Sequence, residues 1–516
     1  MSTLSILLVV CVAPGQCFKK PASVSLDQIR SLRQQAAQRK RTLIVHSDGY
    51  PMNDRHRGIF EPSAPPSLFP QLTGSQTAAC TYSLVHQFPV ARLYRAKVAQ
   101  EWPPGVIKKM YGNSADGLDR YIQLCRRNRF DAFWAMRMND THDASDGPHG
   151  MKRWKSNLWK QKRTHLLFAK RGTPLRYGRW SSLDYRHKEV RDKVYAVLEE
   201  VCRNYPIDGL LLDFFRHLPT FRSTAIGGRA TEKEAASLTK LFERIRAMAD
   251  REGAKRGRPI LIAVRTPDSA SYSKALGIDV ETWMQKKLID IWLSTGYFRL
   301  REWSDSVMLG HKYNVKVWAS ISDSRIVARK DRNSLAIYRG RISNAWRGGV
   351  DGVWLFNFFY RSNQPQFQLL KEAGDAKTLL RKDKTFVSEG RGRLGANRYL
   401  KAGNKFFTRP TTVAPNNPIT LSKKLPSFVL PIQVADGPQP RQSLTLRVQV
   451  KGKDAAATEV RLNGKALMLV KRSGEWLVFQ PKSKDIVAGE NKVGLSLASK
   501  QTKIEIRDLQ LDVSYR

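Results

Sequence analysis

Charged side chains stand directly after an unusually apolar segment. In DGLLLDFFRH, Asp213 follows three leucines, and Arg216 and His217 come soon after it. A carboxylate at the end of such a segment must be paired or functional, because burying an unpaired charge is costly. The two basic neighbours can tune its pKa. Asp213 is therefore the first candidate for the base or nucleophile of a reaction, and an ion pair with Arg216 or Arg137 is the structural alternative.

Glycoside hydrolysis needs a second carboxyl group opposite the first one. The two groups lie about 5–5.5 Å apart in retaining enzymes and about 6.5–9.5 Å apart in inverting ones. The segment RMNDTHD supplies Asp140 as the best partner for Asp213, and Asp323, Asp48 and Asp268 are weaker choices. A carboxylate in such a turn can also cap the local backbone, which is the alternative role for Asp140.

The segment NDTHD also contains metal-ligating residue types, in Asp140, His142 and Asp143. Its spacing matches no standard catalytic zinc motif. Calcium, which prefers oxygen ligands, fits the segment about as well as zinc. We therefore predict no metal or cofactor, with Ca²⁺ as the alternative.

A basic and aromatic stretch, MKRWKSNLWKQKR, covers residues 151–163 and interleaves six Lys or Arg residues with Trp154 and Trp159. Indole rings stack on sugars as readily as on bases, and the cations pair with sulfate, carboxylate or phosphate. The sequence contains no helix-turn-helix, zinc-finger or RNP signature, so we predict no nucleic-acid partner. An acidic polysaccharide or oligosaccharide is the expected ligand, and a solvated basic surface loop is the alternative.

The elements that must position these residues alternate between strand and helix. Between residues 40 and 376, eight apolar segments such as TLIVHSD, PILIAVRTPD and VKVWASISD alternate with amphipathic ones. Continuous apolar runs are typical of parallel strands that are covered on both faces. Eight such units predict a (β/α)₈ TIM barrel. A doubly wound sheet is the alternative, but HSDGYPMND after the first strand is not its Gly-rich phosphate turn.

In a barrel, function lies at the carboxyl ends of the strands and on the loops that follow them. The candidate substrate-binding residues are therefore taken from strand ends and from the basic stretch. They are Asp48, His86, Arg137, Asn139, His142, Trp154, Trp159, Arg216, His217, Arg265, Tyr297, Trp318, Asp323, Trp354 and Asn357.

The composition and the apolar pattern of the chain change after residue 376. Residues 377–418 are basic and rich in turn formers, which predicts a linker or transition. Residues 419–516 contain short alternating segments such as SLTLRVQV and IEIRDLQLDVSY, which predict an antiparallel, jelly-roll-like β-sandwich.

At the amino-terminal end, the apolar run within residues 1–20 predicts a signal peptide and a secreted or periplasmic protein, with a buried first strand as the alternative. No other stretch approaches the ~20 apolar residues of a membrane helix.

Charge is strongly unbalanced across the 516 residues. The chain has 89 Lys and Arg residues against 45 Asp and Glu residues, a net charge of +44. The electrostatic field of such a positive charge attracts anions and speeds their encounter with the protein. The balance predicts a polyanionic partner, and a general basic bias of the source proteome is the alternative.

Four segments together resemble a known group: FWAMRMNDTHD, SSLDYRHKEVRDKV, YPIDGLLLDFFRH and VRTPDSASYSKALGIDVETWMQKKLIDIW. They are similar to secreted bacterial proteins, frequent in planctomycetes, that carry a glycosyl-hydrolase-like 10 barrel. The resemblance covers about residues 40–376 and implies a (β/α)₈ fold with a role on carbohydrate. EVRLNGKAL and AGENKVGLSL likewise resemble galactose-binding-like jelly-roll domains.

The sequence departs from the large retaining clan of barrel glycosidases. That clan has an Asn–Glu pair after strand four and a Glu after strand seven, whereas the corresponding segments here are LDFFRH and WASISD. The mechanism of that clan therefore does not transfer to this chain. The leading hypothesis is a secreted glycoside hydrolase on an anionic polysaccharide. The alternative is a non-catalytic polysaccharide-binding protein on a degenerate barrel, which the missing Glu residues favour.

Overall fold

A computed structural model describes most of the chain. The described residues are 22–47, 72, 74–85, 88–91, 96–98, 100–101, 116–215, 217–322, 332–356, 364–388, 395–409, 412–452, 458–497 and 503–515. The predicted signal peptide, residues 1–20, lies outside them. So do five of the candidate substrate-binding residues, namely Asp48, His86, Arg216, Asp323 and Asn357.

Eight parallel strands form a closed barrel, because the first strand pairs with both its neighbour along the chain and the last barrel strand. Two short strands, β3 and β4, extend the sheet beside β2. The strands are β1 Leu43–Ser47, β2 Thr77–Val85, β3 Val90–Ala91, β4 Gln100–Glu101, β5 Asp131–Arg137, β6 Gly209–Asp213, β7 Leu261–Thr266, β8 Ile291–Ser294, β9 Lys316–Ser322 and β10 Gly352–Phe356. The predicted TIM barrel is confirmed.

Helices connect the barrel strands. They are α1 Leu26–Gln38, α2 Gly117–Arg127, α3 Gly147–Ser156, α4 Leu158–Gln161, α5 Lys188–Asn204, α6 Arg222–Ala225, α7 Glu232–Lys255, α8 Ala270–Ala275, α9 Val280–Gln285, α10 Trp303–Lys312, α11 Leu335–Arg347 and α12 Gln364–Leu370. Short 3₁₀ helices cover His142–Ala144, Thr164–Leu166, Lys377–Leu379, Ala396–Arg398, Gly403–Phe406 and Ser483–Asp485. Within the described ranges, no helix combines the length and the apolar character needed to cross a membrane.

Successive side chains of each barrel strand point to opposite faces of the sheet and belong to two different hydrophobic cores. In β6, Leu210 and Leu212 point outward and join the large cluster beneath the helices. Leu211 points inward and joins a second cluster inside the barrel, together with Phe133 and Trp354. Side chains with a period of two therefore fill both faces of the sheet, which is why the strands read as continuous apolar runs.

The C-terminal part is a sandwich of two antiparallel sheets, as predicted. Its strands are β11 Lys384–Val387, β12 Ile419–Leu421, β13 Ser427–Val434, β14 Gln442–Lys451, β15 Thr458–Leu462, β16 Lys465–Leu467, β17 Leu469–Ser473, β18 Trp476–Phe479, β19 Gly489–Leu497 and β20 Ile504–Tyr515. One sheet has the order β11-β20-β14-β18-β17 with β12 also on β20, and the other has the order β13-β19-β15-β16. Alternate residues of β14 are buried, so one face of the strand lines the sandwich core.

The stretch 377–418, predicted as a linker, contributes to both cores. Strand β11 pairs with β20 and therefore belongs to the sandwich. Tyr399 and Leu400 are buried in the barrel's core. Helix α11 packs against β11 so closely that a Cβ on Gly340 would meet the Thr385 carbonyl oxygen at 2.4 Å. The barrel and the sandwich thus share a packed contact through this stretch.

Candidate functional site

A row of charged residues crosses the inside of the barrel at the carboxyl ends of three neighbouring strands. Arg137 of β5 is in register with Asp213 of β6, and Asp213 is in register with Arg265 of β7. Ala135 and Leu211, two positions earlier, belong to the core inside the barrel. Because side chains alternate, the charged residues also point inward. The predicted convergence of these residues at the functional end of the barrel is therefore present.

Asp213 is buried and paired. Its Oδ2 accepts a hydrogen bond from Nη1 of Arg265 at 3.1 Å, and its Oδ1 accepts one from the Phe215 backbone N–H at 2.8 Å. Nε of Arg265 donates to Ser320 Oγ at 3.1 Å. Asp213 is therefore ion-paired with Arg265. Of the two partners that the sequence suggested, Arg137 pairs with Asp140 instead, and Arg216 lies outside the described residues.

The Arg265 guanidinium lies among aromatic rings. Its Cζ is 4.7 Å from the ring centroid of Trp354 and 5.1 Å from that of Phe356. The Nη2 atom is buried and has no hydrogen-bond partner within the described part of the chain. A Cβ at Gly296 would lie 2.8 Å from Nη2, so glycine is needed there for the close approach.

Asp140 is fully buried in the turn that follows β5. Its Oδ2 accepts from Arg137 Nη1 at 2.7 Å, and its Oδ1 lies 2.6 Å from His142 Nδ1 and accepts from the His142 backbone N–H at 2.9 Å. Burial opposes the charged form, but His142 and Arg137, with His217 nearby, outweigh it and hold the pKa of Asp140 well below its usual value of 3.8. Asp140 is therefore a carboxylate and not a proton donor.

Two imidazoles accompany this carboxylate. The rings of His142 and His217 meet edge to face, with centroids 5.3 Å apart. The Thr141 backbone N–H lies 3.3 Å from His217 Nδ1. One ligating atom from each of Asp140, His142 and His217 lies within 4.8 Å of the other two. The turns after β5 and β6 thus bring an oxygen and two ring nitrogens together.

Asp143 is not part of that group, although the sequence offered it as a metal ligand. Its Oδ2 accepts from Lys160 Nζ at 3.0 Å and its Oδ1 accepts from Ser181 Oγ at 2.5 Å. Asp143 and Lys160 have fully buried side chains. Lys160 Nζ also donates to the Asp140 carbonyl oxygen at 3.1 Å. The pair therefore fastens helix α4 to the turn that carries Asp140.

Two polar candidates have structural roles. The Asn139 side chain donates to the carbonyl oxygens of Leu183 and Pro219 and accepts from the Leu183 N–H, so it ties the turn after β5 to two other segments. The Asp268 carboxylate accepts from the backbone N–H groups of Leu300 and Arg301. Burial raises the pKa of Asp268, although these N–H groups oppose the shift. Neither side chain presents its polar atoms to a substrate.

The basic stretch 151–163 is helical, where a loop was expected. Trp154 is only 7% exposed and meets Trp180 edge to face at 4.8 Å. Trp159 packs against the core, and the Arg163 guanidinium lies 5.1 Å from its ring centroid. The expectation that both indoles overhang a cleft as open platforms is therefore wrong for Trp154. Helical periodicity turns that ring toward the core and leaves Lys152, Lys155 and Lys162 exposed.

The remaining aromatic candidates are buried, Trp318 and Trp354 inside the barrel and Tyr297 after the end of β8. Trp354 and Tyr297 are buried beside Arg265, so they position the guanidinium and offer no open face. Trp318 lies lower in the barrel, where it lines a cavity of about 270 Å³ with Arg41 and Lys316. That cavity is at the amino-terminal ends of the strands. The expectation that Trp318 lies at the functional end is therefore wrong, because the residue precedes the end of β9 by four positions.

Sequence reasoning missed the hydroxyl groups that complete the row. Thr81 Oγ1 lies 2.8 Å from His46 Nδ1 and accepts from Trp354 Nε1 at 2.9 Å. Ser320 accepts from Arg265. Small hydroxyl residues inside a strand carry no individual signal. Their inward position near a strand end was the available clue.

Comparisons with known proteins add to the description of the fold. No protein-family model and no curated protein matches the chain. Solved structures with a similar barrel include a Paenibacillus cycloisomaltooligosaccharide glucanotransferase, at 9% identity and TM-score 0.35, with 92% of this chain and 57% of that one covered. The GH36 α-galactosidase AgaA of Geobacillus stearothermophilus is similar at 11% identity and TM-score 0.38, with 93% of this chain and 56% of that one covered.

The glycoside hydrolase domain of PgaB (BpsB) from Bordetella bronchiseptica is similar at 10% identity and TM-score 0.41, with 65% of this chain and 99% of that domain covered. This chain spans a little over half the length of the first two proteins. At these identities and TM-scores the likeness concerns the barrel architecture alone. It transfers no residue role, reaction or substrate.

Proposed function

We propose that this protein is a glycoside hydrolase, secreted or periplasmic, that acts on an anionic polysaccharide carrying sulfate or uronic acid groups. The observation that carries the proposal is the position of Asp213. It is a buried carboxylate inside the carboxyl-terminal end of a TIM-type (β/α)₈ barrel, in register with Arg137 and Arg265 and beside the group of Asp140, His142 and His217.

In the proposed mechanism, Asp213 is the nucleophile or general base. Its carboxylate oxygens accept hydrogen bonds from Arg265 and the Phe215 N–H, and either role uses an ionised carboxylate. In the direct route, Asp213 takes a proton from water, the water oxygen bonds to the anomeric carbon, and the bond to the leaving sugar oxygen breaks. Asp140 is the opposite carboxylate. Because it is held ionised, it stabilises a protonated His142, which delivers the proton to the leaving oxygen.

We assign the binding of the substrate's anionic substituents to the exposed lysines of the basic stretch. Arg137 and Arg265, which the sequence suggested as substrate-binding residues, each have a carboxylate partner in Asp140 and Asp213. Lys152, Lys155 and Lys162 are exposed instead. They belong to the segment that Lys160 fastens to the Asp140 turn, so they lie on the same side of the barrel as the site.

A non-catalytic polysaccharide-binding protein is the second candidate. One observation favours it: Asp213 and Asp140 are both tied to arginines, and LDFFRH and WASISD have no Glu at the positions used by the large retaining clan. Such a protein would bind the same ligands and release no product.

Product analysis separates the two candidates. The full chain is incubated with sulfated, uronic-acid-containing and neutral polysaccharides, and new reducing ends and oligosaccharides are measured for wild type, Asp213→Asn and Asp268→Asn. We expect products from an anionic polysaccharide, at least ~10²-fold slower turnover for Asp213→Asn, and near wild-type turnover per folded molecule for Asp268→Asn. Binding without products would support the second candidate. Products from Asp213→Asn at the wild-type rate would refute the role of Asp213.

The anionic specificity has its own test. Replacing Lys152, Lys155 and Lys162 by Gln should raise KM and flatten its dependence on salt, because the Debye length falls from ~10 Å at 0.1 M to ~3 Å at 1 M. The matched control replaces three exposed lysines of the sandwich, Lys423, Lys424 and Lys471, by Gln. Equal salt slopes of KM for the two triple variants would show that the basic stretch does not bind the substrate.

A further inference from the structure

We propose that Asp140, His142 and His217 form a binding site for a divalent transition-metal ion of the zinc type. The binding itself does not rest on the proposed glycosidase activity. One ligating atom of each residue lies within 4.8 Å of the other two. Asp140 is fully buried, whereas His142 and His217 are partly exposed, so an ion and its remaining ligands could reach the group from one side.

The distances are close to those that zinc needs. Ligands about 2.0–2.2 Å from a tetrahedral zinc ion lie roughly 3.4 Å from one another. His142 Nδ1 and Asp140 Oδ1 are now 2.6 Å apart, a hydrogen-bond distance. An ion between them would replace this hydrogen bond. Forming the site therefore requires His142 Nδ1 and Asp140 Oδ1 to move apart by less than about 1 Å.

The surroundings hold these ligands in place. Arg137 binds Oδ2 of Asp140 at 2.7 Å and leaves Oδ1 on the side of the imidazoles. Asn139 bonds to the carbonyl oxygen of Pro219 at 2.9 Å, which ties the turn carrying Asp140 to the segment carrying His217. Partners of this kind orient metal ligands and raise metal affinity.

The donor set selects the kind of metal. Two imidazole nitrogens and one carboxylate suit zinc or cobalt, whereas Ca²⁺ and Mg²⁺ need mainly oxygen ligands. Asp143, which would add oxygen, is occupied by Lys160 and Ser181. Three protein ligands leave at least one position for water or a substrate oxygen, as in catalytic zinc sites. A bound ion would engage His142, so metal binding and proton delivery by His142 are alternative states of the same side chains.

Metal binding can be measured without any substrate. The full chain is treated with EDTA, dialysed, and titrated with Co²⁺ and Zn²⁺. The visible spectrum of bound Co²⁺, calorimetry and the metal content after dialysis are recorded. We expect one ion per chain, displacement of Co²⁺ by Zn²⁺, and weak competition from Ca²⁺. His142→Ala and His217→Ala should each lower the affinity at least about tenfold.

His165→Ala is the matched control, because its side chain is 67% exposed and lies outside the group. It should bind metal like the wild type. Circular dichroism of each variant confirms the fold, and partly exposed His217 gives a variant whose folding is not at risk from a buried charge. A metal content near zero, equal affinities of His217→Ala and wild type, or tighter binding of Ca²⁺ than of Zn²⁺ would each overturn the proposal. Because none of these measurements needs a substrate, failure of the glycosidase assay leaves them unaffected.

Discussion

Replacing Asp213 by Asn removes the counter-charge of a fully buried guanidinium. Arg265 has no exposed side-chain surface, and its Nη1 donates to Asp213 Oδ2 at 3.1 Å. In Asp213→Asn, the amide oxygen can keep the hydrogen bond from the Phe215 N–H, which is 2.8 Å long in the wild type. The amide nitrogen then faces Nη1, so a donor meets a donor. The variant therefore leaves the charge of Arg265 uncompensated.

The expected loss follows from the burial of the pair. Removing one partner of a buried ion pair costs about 3–5 kcal/mol of the free energy of unfolding. The rings of Trp354 and Phe356, at 4.7 and 5.1 Å, still stabilise the cation and place the cost at the lower end, about 3 kcal/mol. A domain stability of about 5–15 kcal/mol tolerates this loss. Asp213→Asn should thus fold, with a barrel that unfolds at lower denaturant concentration.

A double-mutant cycle tests this account. The free energy of unfolding of the barrel is measured by urea titration at pH 7 for wild type, Asp213→Asn, Arg265→Gln and the double variant. We expect a coupling energy of about 1.5–3 kcal/mol, near the upper end of the range for residues in contact. The turnover of folded Asp213→Asn is measured in parallel. A coupling energy below about 0.5 kcal/mol would refute the pairing, and wild-type turnover would refute the catalytic role.

Three further outcomes are expected. Lys160→Met should lower the free energy of unfolding by about 3–5 kcal/mol, because it leaves a buried carboxylate unpaired, whereas exposed Lys155→Met should change it by less than about 0.5 kcal/mol in urea titration. Burial opposes the charged form of Asp351, but the Val317 N–H and basic neighbours outweigh it and lower its pKa. Its contribution to stability is present above the unfolded pKa of about 3.9 and is lost as the pH falls through the lower folded pKa. Asp351→Asn should therefore be less stable at pH 7 and lose less stability on acidification. Gly340→Ala should cost about 1–3 kcal/mol, because its Cβ would be forced against the backbone of β11, and limited proteolysis should then cut between barrel and sandwich more readily.

The barrel could be predicted because its signal is repeated in every strand. In GLLLD of β6, the outward Leu210 and Leu212 and the inward Leu211 all need apolar surroundings, so the segment shows no alternation. This is the pattern of a parallel strand covered on both faces. The sandwich strand β14 alternates instead, because only one of its faces lines a core. Both patterns are local and can be recognised without knowing which strands pair.

The partners within the site could not be predicted in the same way. Asp213 and Arg265 are 52 residues apart and meet because their strands are neighbours in register. The sequence instead suggested Arg216, which is close along the chain, or Arg137, which is on the other neighbouring strand and pairs with Asp140. The basic stretch 151–163 misled for a related reason. Its composition suggested a loop with exposed cations, either over a cleft or in solvent, yet one of its six cations, Lys160, is buried as the partner of Asp143. Composition cannot show which member of a charged run meets a buried carboxylate.

The distribution of charge separates two tasks at this end of the barrel. Three buried carboxylates there each have a cationic partner, and the pairs are Asp140–Arg137, Asp143–Lys160 and Asp213–Arg265. The interior row therefore contributes little to the net charge of +44. A polyanion must be attracted by exposed lysines, whose effect is screened by salt, whereas the buried pairs are screened much less. For a hydrolase with this arrangement, added salt should raise KM for an anionic polysaccharide and leave kcat almost unchanged. An equal fall of kcat with salt would place the screened charges at the reacting bond and contradict this separation.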